Sequence, residues 1–197
     1  MKLDDGGGSG VQAKVNTKKE LCTFSVVESE TEAATDSGLA FNLNSGEVTS
    51  IASGDATLLY FKNEESTPYI IDGIAVGLRG FTGLTDMAVI TILKNPTTGD
   101  LITDATAADI KSNTNFGSSN SLNVGTVAYR GKNSGTVTGS EETHAIIYAN
   151  NNSRIAPPLI IELPKGSSIA IKVDSDATAG TAYAAIIGHS KDPLRLT

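Results

Sequence analysis

Cys22 is the one thiol of this chain, and His144 and His189 are its two imidazoles. Nucleophilic or metal chemistry would have to be assembled around these three. No Gly-x-Ser-x-Gly segment supplies a nucleophile elbow, and Cys22 has no His nearby in sequence to activate it. It reads instead as a small core hydrophobe, sharing a strand face with Phe24 and Val26. A metal shared by His144 and His189 would need a carboxylate brought in by the fold, Glu141 or Asp192. The bland alternative is two histidines hydrogen-bonded at strand edges. Asp174-Ser175-Asp176 has the alternating acids of some calcium sites but lacks the third acid and the Gly of a calcium loop, so it reads as a solvated turn. Gly125 to Lys132 resembles a phosphate loop only in outline. Five residues separate its glycines, and Asn133 stands where a Ser or Thr would touch magnesium. The acid pairs Glu64-Glu65 and Glu141-Glu142 would point apart on extended backbone. Asn151-Asn152-Ser153 is a formal glycosylation sequon that reads as a turn. The expectation is a protein that is not an enzyme, with no catalytic residue, no metal and no cofactor.

Composition points the same way. A net charge of −7 and a pI near 4.8 repel polyphosphate, and Lys18-Lys19 is offset by Glu20, so direct nucleic-acid binding is not expected. Aromatic residues make up 5% and Trp is absent, which disfavours stacking platforms for bases or sugars, including a carbohydrate-binding module. No apolar run approaches the ~20 residues of a membrane span, and the opening MKLDDGGGSG has no apolar export core. A single Cys closes no internal disulfide, which suits assembly in a reducing cytoplasm.

The elements that would hold these residues are short strands closed by turn formers. Residues 1–19 read as a flexible N-terminal arm carrying Gly6-Gly7-Gly8-Ser9-Gly10, and residues 20–197 as a single β-domain. Period-two alternation predicts strands at Leu21 to Val27, Leu39 to Leu43, Ala56 to Asn63, Tyr69 to Leu78, Met87 to Lys94, Val124 to Arg130, Gly135 to Thr138, Ala145 to Ala149, Leu159 to Leu163, Ser168 to Val173 and Ala182 to His189. Residues 28–53 read mostly as connection, with Glu28, Glu30 and Glu32 spaced to share one strand face. Asp72-Gly73 reads as a bulge within a long strand. Asn95 to Asp100 reads as a strong turn returning the chain as Leu101-Ile102-Thr103. Residues 104–123 read as a long loop in which Ala105 to Lys111 could form a helical turn or two. Strands at this spacing, joined by mixed long and short connections, predict an all-β fold, a jelly-roll-like antiparallel β-sandwich.

Three stretches, TFSVVESETEAATDSGLAFNL, DATLLYFKNEESTPYIIDGI and PPLIIELPKGSSIAIKVDSDATAGTAYAAIIGHSKD, together resemble small structural proteins encoded among the virion genes of tailed bacteriophages. The likeness runs from Leu21 to Asp192 and lies in strand pattern rather than in an invariant motif. The resemblance implies a head-decoration or auxiliary capsid protein: a β-sandwich on the outside of the capsid, assembled in the host cytoplasm, with the major capsid protein as partner. It implies a homo-oligomer, for which the capsid analogy suggests a trimer, and it brings no catalytic residues. The arm would dock on the capsid or a neighbouring copy through Val11, Val15 and Leu21. The alternative expectation is a tail or head-fibre module that binds a host-surface glycan or receptor through the loop 104–123 or near Tyr129 and Tyr148.

Overall fold

The computed structural model describes residues 3–4, 12–15, 21–22, 29–49, 51, 53–98, 111–120, 122, 129–132, 137–138, 142–157 and 159–191. Its strands are β1 (Leu3–Asp4), β2 (Gln12–Val15), β3 (Leu21–Cys22), β4 (Ala40–Asn44), β5 (Gly54–Lys62), β6 (Tyr69–Thr82), β7 (Ala88–Lys94), β8 (Thr97–Thr98), β9 (Lys111–Asn113), β10 (Tyr129–Lys132), β11 (Val137–Thr138), β12 (Glu142–Ala149), β13 (Arg154–Ile155), β14 (Ile161–Leu163), β15 (Ser168–Ser175) and β16 (Ala179–Ser190). Among the described residues one short helix, α1 (Glu30–Asp36), precedes β4. The chain is an all-β sandwich of two antiparallel sheets. One sheet runs β10-β5-β15-β7-β12, and the other runs β13-β6-β16-β4-β9, with β14 pairing β6 beside β13.

The two inner faces follow from strand alternation, because side chains two apart share a face. Across β6 and β16, Leu78 lies opposite Ala182, Val76 opposite Ala184 and Ile74 opposite Ile186. Across β15 and β5, Ile169 lies opposite Phe61 and Ile171 opposite Leu59, and β7 adds Ile92 and Ile90 beside Ile171 and Val173. All of these side chains belong to one buried cluster. Leu58, Leu59, Tyr60 and Phe61 are all buried, so β5 is covered on both faces. Asp72 is the extra residue of a bulge: Gly188 pairs Ile71 and Ile187 pairs Gly73, which leaves Asp72 without a ladder partner.

Two expectations need correction. Glu30 and Glu32 do not line a strand with Glu28. They lie on α1, where Ser29 caps the helix: its hydroxyl accepts from the Glu32 amide, while the Glu32 carboxylate accepts from the Ser29 amide at 3.0 Å. The Ser29 hydroxyl also donates to the Glu32 carboxylate at 2.9 Å, and the amide's bond first and the hydroxyl's second hold that carboxyl below the usual range. The second correction concerns the acidic triplet, because Asp174 and Ser175 finish β15 rather than opening a turn. Within the long loop, Lys111–Asn113 forms β9 against β4, whereas residues 101–110 lie outside the described residues. Near the N-terminus β1, β2 and β3 pair with one another in that order, and Val15 stands opposite Leu21. Val11 lies outside the described residues.

Candidate functional site

β12 is an edge of the five-stranded sheet among the described residues, and between Thr143 and Ala149 it carries no charge. Its alternation turns Ala149 into the core and leaves Ile146 54% and Tyr148 65% exposed. Natural sheets guard such edges with Lys, Pro or a bulge. Here the register shifts between Thr143 and Ala145, so the guard is confined to one end of the strand, at His144. The pairing partners Val89 and Thr91 on β7 continue the uncharged surface behind Tyr148 and Ile146.

Beside this edge a groove of about 500 Å³ opens between the sheets. Ile92 and Leu93 of β7, Ile161 and Leu163 of β14 and Ile169 of β15 supply its apolar lining, and His144 and Ile160 stand at it from opposite sheets. Ile160 is 85% exposed. Its base is fixed by backbone contacts, with the Asn95 amide donating to the Ser168 carbonyl at 2.8 Å and the Ser168 hydroxyl donating to the Pro96 carbonyl at 2.8 Å. Asn95 takes a positive φ of 51°, a conformation that Asn tolerates better than most residues. Charge at the rim is balanced: Lys94 pairs with Glu142 at 3.0 Å, and Lys191 lies 3.7 Å from Glu162.

The residues singled out for chemistry are placed otherwise. His144 is exposed on the five-stranded sheet, whereas His189 is buried on the six-stranded one, 2.9 Å from the carboxylate of Asp72. That contact anchors the bulge residue of β6 to β16. Among the described residues no three His, Cys, Asp or Glu side chains gather as a metal set. Asp176 accepts from the hydroxyl and amide of Thr85, and these bonds, the hydroxyl's above all, hold its carboxyl below the usual range. Asn151 accepts from the Phe81 amide and donates to the Phe81 carbonyl, both at 2.9 Å, while Asn152 accepts from the Gly80 amide at 3.0 Å. The sequon asparagines thus tie a turn to β6. Glu141, Asp192 and the side chains of Cys22 and Tyr129 lie outside what is described.

At the opposite edge of the six-stranded sheet, the loop after β9 presents Phe116 with 96% of its surface in solvent. Sequence reasoning placed a loop there without singling out this ring. The groove was equally hidden, because its lining comes from four separate stretches of chain.

The fold and its surface define an all-β sandwich with an exposed apolar edge. No protein-family model matches the chain, and no curated protein or solved structure is significantly similar to it.

Proposed function

We propose that this chain is a structural virion protein that binds the outside of a phage capsid, as a decoration or cement protein with the major capsid protein as its partner. The observation that carries the reading is the edge strand β12, uncharged from Thr143 to Ala149, with Ile146 and Tyr148 turned to solvent beside the apolar groove. Contiguous apolar surface of this kind marks a contact site. The strand order supports the finer architecture: β4, β5, β6 and β7 alternate between the sheets, as do β15 and β16, while β7, β12 and β15 share one sheet, and β15 and β16 each enter between two earlier strands, as in the Greek-key connections of a jelly roll. The resemblance to virion proteins supplies the partner class. On a lattice, contacts of modest individual strength suffice because many form together. The arm, with Val11, Val15 and Leu21, adds a second grip, and cytoplasmic assembly as a homo-oligomer accords with the single cysteine.

The test is co-sedimentation with capsids that lack the protein. Saturable binding at a fixed ratio to capsid subunits is expected, with Ile146→Asp plus Tyr148→Asp weakening it at least tenfold and removal of residues 1–19 weakening it further. Absence of saturable binding by the unaltered protein would overturn the reading. Exposure of Tyr148 also favours the second reading, a fibre module that binds a host-surface glycan or receptor. Retention on host cell envelopes, lost with Tyr148→Ala, would select it.

A further inference from the structure

We propose that copies of this chain join head to tail, with the Phe116 ring of one copy seated in the β12–β14 groove of the next. The inference rests on the homo-oligomeric part of the capsid reading and specifies its interface.

Phe116 is held out as a knob before any partner arrives. Asn113 donates to the Gly38 carbonyl at 2.9 Å, and the Asn115 side chain donates to the Asp36 carbonyl at 3.3 Å. The Asn115 carboxamide oxygen takes the Gly117 amide at 3.0 Å, and the Thr114 amide donates to the Ala40 carbonyl at 3.0 Å. Beyond the ring the Asn120 side chain donates to the Ser37 carbonyl at 3.1 Å, so the loop is pinned on both sides of Phe116, to the end of α1 and the turn after it and to β4. Little ordering remains to be done on binding, which is the condition under which a single aromatic anchor contributes most. Residues 112–123 contain no charge, so burying the knob desolvates no ion.

The groove is the matching receptor. Its floor of Ile92, Leu163 and Ile169 is apolar, its volume of about 500 Å³ accommodates a phenyl ring, and Ile160 stands at its lip, ready to close over the guest. Two acidic copies repel over most of their surface, whereas the Phe116 loop carries no charge and the groove has an apolar floor with its rim charges Lys94 and Glu162 each beside an opposite charge of the same chain. Phe116 cannot fill the groove of its own chain. The six-stranded sheet separates β14 from β9 by β6, β16 and β4, which is four interstrand steps or roughly 19 Å. Knob and groove are different surfaces, so the contact is heterologous, and repetition gives a closed ring when the rotation closes.

The test uses the full-length protein with a photo-reactive benzoyl-phenylalanine at position 116, which keeps the aromatic knob. Mixed light and isotopically heavy copies are co-assembled and irradiated. The expected cross-link joins position 116 of one copy to residues 159–163, 92–95 or 144 of another. In parallel, light scattering is expected to show a discrete oligomer that Phe116→Ser loosens by roughly thirtyfold or more in dissociation constant, while at dilutions where both proteins are monomeric the thermal melt is unchanged because the ring is exposed. A monomer at every concentration overturns the inference, as does cross-linking of position 116 only to position 116. The two readings fail separately: a monomer that still saturates capsids strikes this interface alone, and an intact oligomer that ignores capsids strikes the capsid reading alone.

Discussion

Tyr69 has no exposed surface, and its phenol donates to the Phe41 carbonyl at 2.9 Å, which bonds β6 to β4 across the intervening β16. Burial pushes the phenol pKa up, so it remains a donor throughout the working pH range. The ring meets Phe61 of the other sheet edge-on, with centroids 5.2 Å apart at 76°. Its closeness to β16 explains Gly188, where a Cβ would stand 2.2 Å from the Ile70 carbonyl and 2.7 Å from the Tyr69 ring. Tyr69→Phe is expected to cost about 1–2 kcal/mol, since it keeps the packing and removes only the donor. A urea midpoint equal to that of the parent protein would show that the bond adds nothing. Sequence marked Tyr69 as the start of a strand, but its partner 28 residues away was not legible, because nothing local in the chain specifies which carbonyl a phenol will find.

At the scale of elements, the alternation of Val, Ile, Leu and Ala was enough to place β4, β5, β6, β7, β12, β14, β15 and β16 to within a few residues, and Asp72-Gly73 marked its bulge. Failures came where polar residues carried the structure. α1 begins at Ser29-Glu30-Thr31-Glu32, a capping box concealed by acids that also alternate as on a strand. Only Ala33 and Ala34 enter the interior, too little apolar surface to reveal a helical period. β9, Lys-Ser-Asn, has no apolar face to detect and is a strand because β4 offers it an edge. The capping box makes α1 testable by itself. Ser29→Ala is expected to destabilise the helix by about 1 kcal/mol, seen as faster amide exchange at Ala33 and Ser37, with the sheet amides unaffected. Unchanged exchange in the helix would refute the role of the cap.

For the whole molecule, the groove illustrates why a surface escapes sequence reasoning: residues 92–95, 144, 160–164 and 167–169 converge only when both sheets are closed. The sheets are closed by the strands that come last in the chain. β15 lies between β5 and β7, and β16 between β6 and β4, so each sheet lacks a central strand until the last part of the chain is available. Pairings of such long range make folding slow and all-or-none. A chain ending at Leu163 is therefore expected to show no cooperative urea transition by circular dichroism, and a sigmoidal transition in that fragment would contradict this. During synthesis the order of events acts as a checkpoint. An unfinished chain lacks the groove floor that β15 supplies through Ile169, and it lacks the strand that holds β4, from which the Phe116 loop hangs. Neither half of the proposed contact exists on a nascent polypeptide, so partial products emerging side by side on one message would be unable to poison the proposed assembly.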